Sequence, residues 1–324
     1  MTNNYKNIIS ILGHEIPLGS SKEINFNIAK LHTATIIEVP VIIERAKKPG
    51  PTILFTAGIH GDEINGVDIV RQLISRKINK PKCGTIICMP ILNVFGFLNS
   101  SRSFPDGRDL NRVFPGSANG SLASRVANRL MTEIIPDVDL IVDFHTGGAS
   151  RFNAAQIRIA KDKPQLEDLA SVFGAPFTLY SSIIGKSFRN ACYQLDKPIL
   201  LFEGGKSFFV DDTISKIGIE GVKRILNHFD MLNAKKKVSP PKQSTVFVDE
   251  SKWIRAKHSG MFKAKMNINT KITIDDVLGQ ITDPYGKEHY DIKSNIEGYI
   301  INVNEASLVY QGDALFHITT KLKH

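Results

Sequence analysis

PTILFTAGIHGDE, residues 51–63, is an unbroken apolar run that stops at a glycine and then turns polar. A strand with one wet face alternates apolar and polar side chains. A run without alternation is covered on both faces, so Pro51–Ile59 is expected to be an interior strand of a sheet with helices above and below it. From Glu63 to Asn79 the spacing becomes helical, with Ile64, Val67, Ile69, Val70, Leu73 and Ile74 on one side. The same two-part unit recurs along the chain. Thr85–Leu92, Asp139–Phe144 (DLIVDF) and Pro198–Phe202 (PILLF) read as further buried strands. Ser121–Ile134, Lys163–Phe173 and Ile214–Leu232 read as helices, and the first fifty residues as short strands that include Thr33–Arg45. Buried strands alternating with amphipathic helices specify an α/β fold.

Beyond the lysines at 235–237 the texture changes. Short β-rich runs are separated by turns at Gly260, Gly279, Asp283–Pro284–Tyr285–Gly286, Gly298 and Gly312, and no long helix is expected. The reading is therefore a catalytic-size α/β domain over 1–240 and a small all-β domain over 245–324. No internal repeat of solenoid type is visible.

Composition excludes several classes. With 42% hydrophobic and 23% charged residues in 324, the chain has ample material for a core and is not disordered as a whole. Its most apolar stretch, Ile86–Leu98, is interrupted by Pro90, Asn93 and Gly96 and falls short of the roughly 20 residues of a membrane span. Residues 1–19 carry no basic-then-apolar leader pattern. Three cysteines, Cys83, Cys88 and Cys192, are too few for a disulfide framework, so core thiols and a cytoplasmic location are expected. The net charge of +9 is dispersed. Its one dense run, Lys235–Lys237, precedes Pro240–Pro241 and reads as a solvated linker, and no nucleic-acid motif accompanies it.

Chemistry gathers at the strand ends. PTILFTAGI is followed by His60, Gly61, Asp62 and Glu63; LIVDF by His145; PILLF by Glu203. A sheet brings separate strand ends together, and two histidines with one carboxylate are a ligand set for catalytic zinc that leaves a position open. His60, Glu63 and His145 are the expected ligands of one Zn2+ per chain. Glu203 is the carboxylate left to move protons. Asp143 shares a strand face with His145 and is expected to hold a ligand histidine by its second ring nitrogen. The turn-rich segment SRSFPDGRDLNRVFPG, 101–116, holds three arginines, whose forks suit a substrate carboxylate; by composition it reads equally as a surface loop. Arg189–Asn190 reads as a surface helix end or a substrate contact.

Taken together, these motifs resemble the succinylglutamate desuccinylase/aspartoacylase family, relatives of the zinc carboxypeptidases. The matching runs are G-x-H-G-D-E at Gly58–Glu63, D-L-N-R-x-F-P-G at Asp109–Gly116, D-F-H-T-G at Asp143–Gly147 and F-E-G-G at Phe202–Gly205, in family order over roughly 50–205. The resemblance implies a mixed-sheet, zinc carboxypeptidase-like (phosphorylase/hydrolase-like) catalytic domain with zinc on His60, Glu63 and His145, and Glu203 as general base. It implies Asn111 and Arg112 as binders of a substrate carboxylate, and an upstream arginine that stabilises the oxyanion. Arg102 is chosen there over Arg108, which sits directly beside Asp109, and the alternative stays open. It further implies a lipoyl/biotinyl-like C-terminal domain, as in bacterial members of the family, from which Tyr285, Tyr299 or Tyr310 could reach the substrate.

The function implied is hydrolysis of a linear amide in a small N-acylated amino acid or related metabolite. The rivals are a zinc carboxypeptidase acting on peptides, an esterase or deacylase on a different substrate, and a non-catalytic binding protein. The expected partner is that small molecule, with neither nucleic acid nor membrane; edge strands of the small domain leave room for a homo-oligomer.

Overall fold

The structure, a computed structural model, describes residues 5–323; residues 1–4, part of the stretch read above for a leader, lie outside the described residues. A hairpin of β1 (Ile8–Ile11) and β2 (His14–Pro17) precedes two long strands, β3 (Ser21–Lys30) and β4 (Ile36–Arg45). β5 (Thr52–Ala57) then leads into α1 (Ile64–Ser75), β6 (Thr85–Met89) and a short α2 (Val94–Leu98). α3 (Leu122–Glu133), β7 (Leu140–Gly147), β8 (Arg151–Ile159), α4 (Pro164–Phe173) and β9 (Phe177–Tyr180) follow. α5 (Phe188–Gln194), β10 (Ile199–Lys206) and α6 (Asp212–His228) complete the helical part. The remainder is strand: β11 (Val246–Arg255), β12 (Gly260–Ala264), β13 (Lys271–Ile272), β14 (Val277–Thr282), β15 (His289–Lys293), β16 (Gly298–Asn304), β17 (Leu308–Val309) and β18 (Ala314–Leu322).

The runs without alternation form the middle of the sheet. β5, β6 and β7 are buried at every position, and with β10 they make a parallel block in the order β10-β7-β5-β6. Antiparallel β4 and β3 extend one side. On the other, β8 runs antiparallel to β10 and is followed by β9, β11, β18, β16 and β13, giving a mixed sheet of twelve strands. Helices cover both faces. α1, α4 and α6 bury their apolar sides around Phe55, Val142, Phe173 and Phe202, while α3 and α5 pack over Leu54, Ile141 and Ile199 on the opposite face. The helix starts obey local chemistry: Ser121 accepts from the Ser124 N–H and Asp211 from the Ile214 N–H, each satisfying an otherwise orphaned donor.

α6 ends at His228, earlier than its apolar pattern suggests, because Met231 and Leu232 turn back into the core. The lysines at 235–237 lie in irregular chain beyond it. All three cysteines are free and buried. Strands β8 and β9 went unread in the sequence: RFNAAQIRI mixes Arg, Asn and Gln into a strand that is nonetheless mostly buried. After residue 245, β11 joins the large sheet parallel to β9, while β16 and β18 continue it. β12, β14, β15 and β17 make a separate four-stranded sheet over a core that includes Phe262, Leu278 and Phe316. Among the described residues no helix is long and apolar enough to cross a membrane.

Candidate metal centre and its cavity

Strand parity decides which face carries the polar groups. Ile141 and Ile199 belong to the core beneath α3 and α5. Asp143 and His145 on β7, and Glu203 on β10, follow at even spacing and so share that face. Register does the rest, setting Glu203 beside His145 and Thr56 beside Asp143.

His60 and Glu63 enter from the turn after β5. A Cβ on Gly61 would lie 1.8 Å from the carbonyl carbon of Gly96, so only glycine lets segment 93–102 pack onto this turn. Two hydrogen bonds fix that segment, Gly61 N–H to the Ser101 carbonyl at 3.1 Å and Asn93 Nδ2 to the Arg102 carbonyl at 3.2 Å. The contact delivers Arg102 to the site.

The three expected ligands converge. One Glu63 oxygen lies 2.6 Å from His60 Nδ1 and the other 2.8 Å from His145 Nδ1. All three side chains are buried, with donor atoms within 4.8 Å of one another. The far nitrogens are held by carboxylates: His145 Nε2 by Asp143 at 2.9 Å, and His60 Nε2 by Asp109 at 3.2 Å. Asp143 is itself fixed by the Thr56 hydroxyl, which donates to its other oxygen at 2.8 Å. Carboxylates on the outer nitrogens leave both Nδ1 atoms as the inward ones, the arrangement by which proteins orient metal-binding imidazoles.

The electrostatics point the same way. Burial opposes charge on His60 and His145, yet Glu63, Asp109 and Asp143 outweigh it and raise both pKa values, His145 well above the imidazole range. Burial likewise opposes ionisation of Glu63 and Asp109, but the facing imidazoles, and Arg102 for Asp109, hold both well below the carboxylate range. The carboxylates thus favour positive charge on the two imidazoles, charge that a divalent cation among Glu63, His60 and His145 would supply in place of the protons, and the N/O donor set suits zinc. The residues fit the ion.

These groups open onto a cavity of about 740 Å³, lined also by Arg102, Asn111, Arg112 and Glu203. That volume falls within the range of small-molecule sites. Arg102 donates through Nε and Nη2 to Asp109 at 3.1 and 2.9 Å and through Nη1 to Glu63 at 3.3 Å. Arg108, by contrast, is exposed and pairs with Asp106 at 3.3 Å. Asn111 Oδ1 accepts from the Phe188 N–H at 2.8 Å, tying this loop to α5, and Arg112 is partly exposed with Nη1 on the Asn111 carbonyl. Glu203 Oε2 accepts from Asn153 Nδ2 at 2.8 Å.

Of the two readings of Arg189, the surface helix end is not met: the side chain is buried and lines the cavity, donates to the Ser181 hydroxyl at 2.8 Å, and burial with Arg158 nearby pushes its pKa down to about 10. Other cavity residues were not foreseen. Among the described residues no expected C-terminal tyrosine lines the cavity: Tyr285 and Tyr310 are exposed, and Tyr299 packs on Phe177. Trp253 and Asn302 represent that segment instead, and Asn153 and Arg158 come from β8. Asp109 stood inside a quoted motif, but no spacing rule links it to His60.

A family model described as the succinylglutamate desuccinylase/aspartoacylase catalytic domain matches residues 49–229. The N-alpha-acetyl-L-2,4-diaminobutyric acid deacetylase of Halomonas elongata is 26% identical over 259 residues, 76% of this chain and 75% of that one. A succinylglutamate desuccinylase/aspartoacylase structure from Rhodobacter sphaeroides superposes with a TM-score of 0.79 at 23% identity, covering 94% of this chain and 96% of its own. The product-bound ectoine utilization protein EutE (DoeB) of Ruegeria pomeroyi gives 0.80 at 21% identity, covering 98% and 100%. At such identities the two structures speak for the fold.

Proposed function

The chain belongs to the succinylglutamate desuccinylase/aspartoacylase family, and from that premise we propose that it is a zinc-dependent amidohydrolase, releasing the acyl group from a small N-acylated amino acid or related metabolite. The observation that carries the proposal is the buried His60–Glu63–His145 cluster, with Asp109 and Asp143 on its outer nitrogens, opening onto the cavity that holds Glu203 and Arg102. A zinc ion bound by those three residues would act as Lewis acid toward the acyl carbonyl and lower the pKa of water at the site.

Glu203 is the general base. It takes a proton from the attacking water as the C–O bond forms and returns it to the amine nitrogen as the C–N bond breaks, leaving a carboxylate and a free amine. Arg102, pinned by Asp109, offers guanidinium hydrogen bonds where negative charge grows on the acyl oxygen. Asn111 and Arg112 hold a substrate carboxylate, and Asp143 orients His145. The same set of roles supports the zinc carboxypeptidase-like assignment that the family resemblance implies.

Trp253 and Asn302 from the C-terminal segment line the cavity, which favours a small substrate over a long peptide. The separate core around Phe262, Leu278 and Phe316 supports the division into 1–240 and 245–324, joined through the shared sheet. Free, buried cysteines support a cytoplasmic location. The test is a hydrolysis screen of N-acyl amino acids varying the acyl group and the side chain, run on metal-loaded protein. Amine release from part of the series supports the assignment, and inactivity across it counts against it.

A further inference from the structure

The two oxygens of Glu203 have unequal surroundings. Oε2 accepts from Asn153 Nδ2 at 2.8 Å, whereas Oε1 has Arg158 Nη1 at 3.6 Å, too far for a hydrogen bond. Asn153 Oδ1 in turn accepts from Asn302 Nδ2 at 2.6 Å. Asn153 lies on β8 and Asn302 on β16, opposite one another in an antiparallel register, and both are buried. A chain of side-chain hydrogen bonds thus runs from the C-terminal segment to Glu203.

A side-chain amide can present either its NH2 or its oxygen in a given direction. An ionised carboxylate only accepts, so Glu203 requires the NH2 of Asn153. That turns the Asn153 oxygen toward Asn302, which donates its own NH2 to it. The orientation is thus passed from Glu203 through Asn153 to Asn302. Among the described residues Asn302 Oδ1 is buried with no hydrogen-bond partner, so the chain ends there.

We infer that Asn153 and Asn302 are positioning residues for Glu203, through which strand β16 holds Oε2 and keeps Oε1 available for proton transfer. The inference rests on the reading of Glu203 as general base. It gives the C-terminal segment a part in the chemical step besides lining the cavity. A proton-transferring group displaced by about an ångström can lose on the order of a hundredfold in rate, so the effect belongs in kcat.

The test compares Asn153→Ala, Asn302→Asp, Asn302→Ala and the Asn153→Ala/Asn302→Ala double variant with Glu203→Gln in the metal-loaded full chain, on a substrate found active in the screen. Thermal melting and metal content select the folded variants; Asn302→Asp preserves size and serves if the alanine variants do not fold. Asp at 302 cannot donate, so Asn153 would turn its NH2 toward it and its oxygen toward Glu203. The expected result is a kcat lower by about ten- to a hundredfold with KM within about twofold, and a double variant no worse than Asn153→Ala. Unchanged kcat in folded variants, or independent additive losses, would overturn the inference while an inactive Glu203→Gln left the base reading intact. An active, metal-loaded Glu203→Gln would overturn the base reading itself, and the inference with it.

Discussion

Asp143 Oδ2 lies 2.9 Å from Nε2 of His145, two residues along the same buried strand. The other nitrogen of that ring faces Glu63 at 2.8 Å. An imidazole clamped in this way has one orientation, with Nδ1 turned toward Glu63, and a carboxylate on Nε2 would keep the proton there when a cation takes Nδ1. Asp143→Ala should therefore weaken zinc binding by about ten- to a hundredfold, and Asp109→Ala should act in the same direction through His60. Competition with a chromophoric chelator measures it; a loss well under tenfold in Asp143→Ala would remove the role given to Asp143.

Glu203→Gln keeps size and hydrogen bonding but cannot take a proton. With zinc still bound, kcat should fall by about 10²–10⁴. Activity near that of the parent would assign the proton transfers elsewhere.

Two of the cavity arginines, Arg102 and Arg112, should fail differently. Arg112→Ala removes a contact made equally in the bound substrate and the transition state, so KM should rise several-fold with kcat nearly kept. Arg102→Ala removes a donor aimed at growing charge, so kcat should fall by about 10²–10³. Steady-state kinetics on one substrate separates the two, and a KM-only effect at Arg102 would contradict its oxyanion role.

How much of this was legible in the sequence depends on what each residue was selected to do. PTILFTAGI and LIVDF read correctly as interior strands because burial sets nearly all of their positions, Thr56 and Asp143 excepted, and His60, Glu63 and His145 at their ends come together because a parallel sheet collects its strand ends. RFNAAQIRI did not read as a strand. Its Asn153 and Arg158 face the cavity, so polar groups serving the site broke the apolar pattern that would have revealed it. Trp253 and Asn302 were hidden for another reason: Asn302 reaches the site through the pairing of β16 with β8, and Trp253 through the pairing of β11 with β18 and β9, across separations in sequence that periodicity does not encode.

His317 provides a pH test away from the metal cluster. It stacks on Trp253 with ring centroids 4.4 Å apart, and burial, with Arg158 nearby, pushes its pKa from 6.5 down to about 4. Between those values the unfolded chain binds the extra proton and the folded one does not. Stability is therefore lost as pH falls through that window, by on the order of 3 kcal/mol in all. Melting of His317→Gln across pH 4–7 should show a shallower acid loss than the parent, and parallel curves would contradict it.

The central claim is a metal-dependent hydrolytic site at His60, Glu63 and His145. Its most direct test is the metal content of the purified protein beside His60→Ala, with hydrolysis of an N-acyl amino acid followed on the same samples. The claim predicts about one zinc per chain, absent from the variant, and activity lost and regained with the metal. Folded protein that binds no zinc, or that hydrolyses its substrate equally well in His60→Ala, would contradict it.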